Sequence, residues 1–349
     1  MTKAAELAKM GEVLTNSQIG GRRNLIINGA MQVAQRGTST SSVGASSGYF
    51  ACDRWRLFST TSGRVTVSQS TDAPNGFANS FKIDVTTADT SIAATELFIL
   101  SYAMEGQDAQ MIKKGTSEAE SLTMSFYAKA NASANYVVEM YDADNTRNNT
   151  QAFTVTDSWQ RFSFTFAPDT TGALDNDNAL SFYPIQIWLH GGSNYSSGTF
   201  ASNTWGSVTN ANRYAGSRTS IFDSTDREFF ITGVQVEVGS QVTPFEHRSF
   251  AKDKNLCYRY YEEGNFSMRV SGTVVRTGQS YTVTKRASAT VNVYYDSSKP
   301  TAGTINVSNS TNSGWAEGGS NNYWNMEKNT GSNGDGVDYN CYWTADAEI

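Results

Sequence analysis

Charge, cysteine, histidine and proline are all scarce in this chain. Only 17% of its 349 residues are charged, and it holds 5 prolines, 3 cysteines and 2 histidines. Each scarcity removes a class of function. The net charge is −6 and there is no basic run to neutralise phosphates, which argues against nucleic-acid binding. Cys52, Cys257 and Cys341 are too few, and odd in number, for a disulfide framework. They read as buried or half-buried thiols. His190 and His247 belong to no HExxH motif, and no GxSxG or CxxC pair occurs. No GxxxxGK[ST] or strand-linked GxGxxG loop cradles a phosphate. The expectation is no enzymatic activity and no cofactor. No run approaches the ~18 apolar residues of a membrane span. The opening MTKAAELAKMGEVL lacks the apolar stretch of a signal peptide. The chain is therefore expected to be made in a cytosol and not to insert into a membrane.

What the chain does have is glycine (29), Ser, Thr and Asn throughout, and 12% aromatics. That mixture suits β-sheet surfaces and polar turns, and a disordered chain would have few aromatics. Alternating segments come at short intervals: WRLFS (55–59), RVTVS (64–68), FKIDVTT (81–87), LTMSFYAKA (122–130), YVVEMYD (136–142), RFSFTFA (161–167) and PIQIWLH (184–190). Trp55, Trp159 and Trp188 lie in or beside these strands and read as core. Residues 95–112 mix apolar and polar positions and read as a strand followed by an irregular connection. Many short strands with turn signals between them predict an all-β fold, a sandwich or jelly roll.

The pivot of the chain is 229–261, FFITGVQVEVGSQVTPFEHRSFAKDKNLCYRYY. Phe230, Thr232, Val234, Val236 and Val238 share one face of a strand, with Gln235 and Glu237 on the other. Gly239-Ser240 breaks it, Thr243-Pro244 extends the chain, and Ser249 caps a helix expected over 249–263. Residues 2–14 also have helical spacing, with Ala4, Leu7, Met10 and Leu14 in an apolar stripe. An isolated helix of ~13 residues is marginal. It needs its own domain, a symmetry-related bundle or another protein to lie on. The expected organisation is an N-terminal helical anchor (1–21), a jelly-roll sandwich (22–248), a linking helix (249–263) and a small β-rich tip (264–349).

Several motifs in fixed order carry a resemblance. GVQVEVG, TPFEHRSF and LCYRYY follow one another through the pivot. RRNLIINGAMQVAQRG (22–37) and CDRW (52–55) precede them, and YWTADAEI (342–349) closes the chain. Together they are similar to tail-fibre and related virion proteins of tailed bacteriophages. The resemblance brackets nearly the whole chain. It implies a carbohydrate-binding-module-like jelly roll, assembly as a homotrimer and a place in the virion. It also implies adhesion to a host surface glycan, with attachment to another virion protein through the N-terminus. Leu7, Met10, Leu14, Arg22 and Arg23 are then the oligomer or anchor candidates. A head fibre, decoration or knob protein would share this fold. A capsule depolymerase would need two carboxylates in one cleft.

Exposed aromatics are the expected recognition residues, because a sugar's C–H face stacks on a ring while Asn and Ser meet its hydroxyls. Tyr195, Trp205 and Tyr214 sit in the long polar loop 191–220, and Trp315, Tyr323 and Trp324 in the tip. Packing beneath their own loops or against a neighbouring subunit is the competing reading for each. Asp142, Asp144, Asp175 and Asp177 alternate with Asn in two turns and are candidate Ca²⁺ ligands. Neither turn completes an EF-hand loop, Arg147 standing where the first needs glycine, and turn-forming Asx residues are the competing reading for both.

Overall fold

A computed structural model describes residues 3–4, 23–269, 274–294, 304–307, 310–313, 316–329 and 338–348, with side chains for 3–4, 23–267, 278–294, 320–325 and 342–348. Leu7, Met10, Leu14, Arg22 and Trp315 lie outside the described residues, as does all of the expected N-terminal helix except Lys3 and Ala4. The chain divides into two units, Met1–Ser249 and Phe250–Ile349.

In the first unit the alternating segments become strands, because one apolar face can be buried while the backbone pairs sideways. In chain order they are β1 (Ser39–Val43), β2 (Gly48–Tyr49), β3 (Arg56–Ser59), β4 (Arg64–Ser70) and β5 (Ser80–Thr87). Then come β6 (Leu97–Met104), β7 (Leu122–Ala130), β8 (Ala134–Asp142) and β9 (Arg147–Val155). The last four are β10 (Gln160–Phe166), β11 (Phe182–Gly191), β12 (Gly206–Ser207) and β13 (Glu228–Val238). They form two antiparallel sheets, one ordered β1-β4-β5-β13-β7-β10 and the other β12-β9-β8-β11-β6-β3-β2. This is a jelly-roll-like all-β sandwich. Phe126, Phe162 and Phe164 from the first sheet meet Phe153 from the second at ring separations of 5.2–6.1 Å. Each such pair contributes ~0.5–1.5 kcal/mol beyond its buried area. The region 95–112 is β6, then the short helix α1 (Gly106–Ala109) and a 3-10 turn (Gln110–Ile112).

The motifs that open and close the sandwich hold each other. Asn24 N donates to Glu246 Oε2 at 2.5 Å, and Arg23 donates to Pro244 O at 2.7 Å. Arg248 donates to the carbonyls of Ile26 and Asn24. Gly29 lies against β13, where any Cβ would meet Val234 O at 2.1 Å. Trp55 and Cys52 are buried beside this segment, with Trp55 Nε1 donating to Asn28 O.

Three local expectations need correction. The single face expected along β13 is interrupted by a bulge. Pairing with β7 shifts between Thr232 and Gln235, at Gly233, whose φ is +62°. One extra residue exchanges the two faces. Phe229 packs on Tyr136 across the sandwich, and Phe230 meets Trp159 and Lys129 on the outside. Trp159 is accordingly half-buried rather than core, its indole donating to Asp72 at 3.0 Å. The helix expected over 249–263 covers only Phe250–Cys257, named α3 below. From Tyr261 the tyrosine-rich chain alternates and pairs instead as a strand. β9, RNNTQAFTV, is mostly polar and carries little apolar alternation to mark it as a strand.

In the second unit α3 is followed by β14 (Tyr261–Arg269), β15 (Val274–Ser280), β16 (Thr290–Tyr294), β17 (Thr304–Val307) and β18 (Ser310–Ser313). β19 (Ala316–Gly319), β20 (Tyr323–Asn329) and β21 (Asp338–Asp346) complete it. β21 pairs with β14 over nine residue pairs and with β16 on another side. Trp324 and Trp343 pack at 5.6 Å with Phe266 and Tyr281 beside them. Below them Lys285 pairs with Glu262 at 2.6 Å.

Candidate functional site

The outer face of the seven-stranded sheet carries a row of rings and guanidinium groups. β3 sends Leu57 and Ser59 inward, which leaves Arg56 and Phe58 outward. Its pairing sets Arg56 beside Ser101 and Phe58 beside Ile99 of β6. β6 in turn sets Gln186 beside Ser101 and Trp188 beside Ile99. Across β11 and β8, Tyr183 faces Tyr141, Gln186 faces Glu139, and Trp188 faces Val137. A bulge between Tyr183 and Gln186 keeps all three β11 side chains on this face.

The rings are near neighbours. Phe58 lies 6.1 Å from Tyr183, which lies 5.7 Å from Tyr141. Arg56 covers Phe58 at 4.5 Å and approaches Tyr49 of β2 at 5.8 Å. At the other end Arg213 lies over Tyr141 at 5.0 Å and over Trp188 at 4.7 Å. Tyr49, Phe58, Tyr141, Tyr183 and Arg56 are all half-buried, so part of each stays at the surface, and Arg36 also lies over Tyr49, at 5.2 Å. Among the described residues no carboxylate forms an ion pair with Arg56, and its Nε lacks a hydrogen-bond partner. Burial pushes the Tyr183 phenol above its ordinary pKa, partly offset by Arg56, so it stays a neutral donor and acceptor.

One buried acid organises the row's far end. Glu139 is fully buried and accepts from Trp188 Nε1 (2.6 Å), Asn148 Nδ2 (2.5 Å), and Arg213 Nε (2.9 Å) and Nη2 (2.8 Å). Burial opposes the Arg213 charge, but Glu139 outweighs it and raises the guanidinium pKa. Arg213 comes from the long loop, so this ion pair fastens the loop to the sheet.

The loop itself is ordered. It holds the short helix α2 (Ser193–Ser196), β12 and a 3-10 turn at Asn210–Asn212. Tyr214 is only 2% exposed; its ring stacks near Trp188 and its hydroxyl donates to Thr219 O at 2.7 Å. It is a pillar under the loop rather than a platform for a ligand. Tyr195 packs on Trp188 at 5.4 Å and is half-buried. Trp205 is half-buried, donates to Ala167 O at 2.8 Å and carries Lys114 over its ring at 5.5 Å. In the second unit Trp324 is fully buried, because it forms the aromatic core, and cannot serve as an exposed platform. Its neighbour Tyr323 is 49% exposed.

The remaining candidates are engaged inside the protein. Arg23, expected as an anchor, donates to Pro244 O and lies 3.3 Å from Glu237, closing the sandwich. Asp142 is neutralised by the buried Lys114 at 2.5 Å, which also meets Asp169 at 3.0 Å. Asp144 Oδ2 accepts from Asp175 N and Ser181 Oγ, and Asp177 Oδ1 from Ala179 N. Asp175 is exposed. Among the described residues these four acids do not gather into a metal-binding group. They are turn formers, and an ammonium occupies the place a cation would take beside Asp142. His247 packs between Phe77 and Phe245.

The row Tyr49–Arg56–Phe58–Tyr183–Tyr141 was not among the residues expected to recognise a ligand. Its signal was present: an arginine and an aromatic on the phase of β3 opposite Leu57, and tyrosines ending β8 and opening β11.

No protein-family model matches the chain, and no curated protein does. Among solved structures it is similar to a CBM4 structure, at 15% identity and a TM-score of 0.29, over 60% of this chain and 97% of that one. It is also similar to the CBM22-1 xylan-binding domain of Paenibacillus barcinonensis Xyn10C, at 12% identity and a TM-score of 0.29, over 63% and 96%. A third is the enzymatically active domain of bacteriophage CBA120 tailspike protein 4, at 12% identity and a TM-score of 0.30. That match covers 62% of this chain and 21% of that one.

Proposed function

We propose that this chain is a non-enzymatic fibre protein of a tailed-phage virion, an adhesin holding host surface polysaccharide on the outer face of its seven-stranded sheet. The observation that carries the reading is the half-buried row Tyr49, Arg56, Phe58, Tyr183 and Tyr141. Rings in a row offer stacking faces to successive sugars, and their phenols, Gln186 and Arg56 offer partners for hydroxyls or a carboxylate. Glu139 and Arg213 hold that geometry before a ligand arrives, which lowers the ordering cost of binding. The virion setting is supported by the ordered motifs 22–37, 52–55 and 229–261. Within it the chain acts as a homotrimer, attached through its N-terminal segment to another virion protein. The test is binding of the purified full-length chain to intact bacterial host cells. Saturable binding that falls about tenfold in Tyr183→Ala, with unchanged thermal unfolding, supports the reading. Unchanged binding in that variant refutes it.

A further inference from the structure

Beside the base of the loop, three buried side chains converge. Asp89, Glu96 and His190 place ligand atoms within 4.8 Å of one another. They come from distant stretches: Asp89 and Glu96 from the β5–β6 connection, and His190 from the end of β11. A register shift between Trp188 and His190 turns the histidine away from the outer face. It ends fully buried, edge-on to Phe222.

The histidine's two nitrogens differ. Nδ1 lies 2.7 Å from Ser220 Oγ, and that oxygen also accepts from Phe222 N. Nε2 has no hydrogen-bond partner although it is buried, and it faces Glu96 Oε2 at 3.7 Å. With Nδ1–H donating to Ser220, Nε2 presents a lone pair to two carboxylates. This is the tautomer and outer partner that a metal-bound histidine requires. The acids are also oriented. Asp89 Oδ2 accepts from Thr61 Oγ1 at 2.9 Å, and Glu96 Oε2 from Ala93 N at 2.9 Å. Among the described residues neither carboxylate forms an ion pair with lysine or arginine. Ser62, Thr61, Ser91 N and the neighbouring Glu96 carboxyl all hydrogen-bond to the Asp89 carboxyl, so the two acids lie close enough to share a proton that an ion would displace. A buried imidazole nitrogen without a hydrogen bond and two oriented, buried acids thus converge on one point.

We infer that Asp89, Glu96 and His190 form a structural site for a divalent transition-metal ion of the zinc class. One imidazole nitrogen and two carboxylates suit zinc and its neighbours, whereas calcium takes six to eight oxygens. Three protein ligands leave one position for water. The ion would join segments that already touch through Asp89 N to Phe222 O and Gly192 N to Glu96 O. Gly192 and Phe222 flank the long loop, so the ion fastens both of its ends.

The test uses the full-length chain, stripped with a chelator, dialysed and titrated calorimetrically with Zn²⁺ and, separately, Ca²⁺. The expected result is one tightly bound zinc per chain, a higher unfolding temperature with zinc, and no calcium binding. His190→Ala and Glu96→Gln should each weaken zinc by more than about tenfold, since loss of an outer partner alone costs roughly 10–100-fold. Should Glu96→Gln fail to fold, Asp89→Asn takes its place. Co²⁺ in place of zinc should give visible absorption bands that His190→Ala alters. Absence of zinc binding by the wild-type chain, equal zinc affinity in the folded variants, a preference for calcium, or an unaltered cobalt spectrum would each overturn the inference.

Discussion

Replacing Arg213 with methionine tests whether one buried ion pair holds the long loop on the sheet. The change keeps an apolar stem but leaves Glu139, fully buried, with only the neutral donors Trp188 and Asn148. Removing one partner of a buried pair costs about 3–5 kcal/mol. The Arg213 side chain is 12% exposed, so water relieves part of this, and about 3 kcal/mol is the better figure. Loss of its stacking over Trp188 and Tyr141 adds about 1 kcal/mol. A total of about 4 kcal/mol, in a unit of this size, lowers the unfolding temperature by roughly 8–16 °C. The double variant Glu139→Gln/Arg213→Met removes the stranded charge as well. It should therefore be more stable than Arg213→Met alone, an inversion that independent contributions would not produce. Calorimetry of the three proteins decides the matter. A shift below about 3 °C in the single variant, or a double variant less stable than the single, would refute the reasoning.

Other outcomes follow from single sites. Gly233→Ala should destabilise the sandwich by more than about 2 kcal/mol in urea unfolding. Its positive φ alone costs alanine about 1–2 kcal/mol, and the new Cβ would sit 2.6 Å from Phe77 Cζ. Trp324→Ala should cost the second unit about 3–5 kcal/mol, while Tyr323→Ala changes its unfolding temperature little. For Asp169, burial alone would raise the carboxyl, but hydrogen bonds from Arg147 and Lys114 outweigh it and hold the folded pKa below the usual value. Its stabilisation is thus present above pH ~4 and lost as pH falls through the folded pKa. Unfolding temperatures measured from pH 6 to pH 3 should fall less steeply in Asp169→Asn than in the wild type.

Strands with an apolar phase and a polar phase were legible from the residues alone. LTMSFYAKA and RFSFTFA pair as β7 and β10, with Phe126 opposite Phe162. What escaped reading depends on partners distant in sequence. Gly233 looks like any strand glycine until Phe77 and Tyr127 close over it. β9 is polar because its outward side chains serve Glu139 and the loop. Loop aromatics are the expected recognition residues because loops are exposed. Yet Tyr214 supports its loop from below and Trp324 fills a core, since large rings are the best source of burial in glycine-rich segments. The open rings stand instead on strands, where only the pairing register shows that Phe58, Tyr183 and Tyr141 share one face. Asp142 could be seen as an acid in a turn, but Lys114, 28 positions earlier, could not be seen beside it.

The proposed polysaccharide site is the sheet face rather than the exposed tyrosine of the second unit. The direct measurement is affinity electrophoresis of the full-length chain through purified surface polysaccharide of the bacterial host. Wild type would be compared with Arg56→Ala, Tyr183→Ala and Tyr323→Ala. Wild type and Tyr323→Ala should both be retarded. Affinity should be at least about tenfold weaker, or ~1.4 kcal/mol, in Arg56→Ala and Tyr183→Ala. Retardation unchanged in the two sheet-face variants, or lost in Tyr323→Ala, would contradict this.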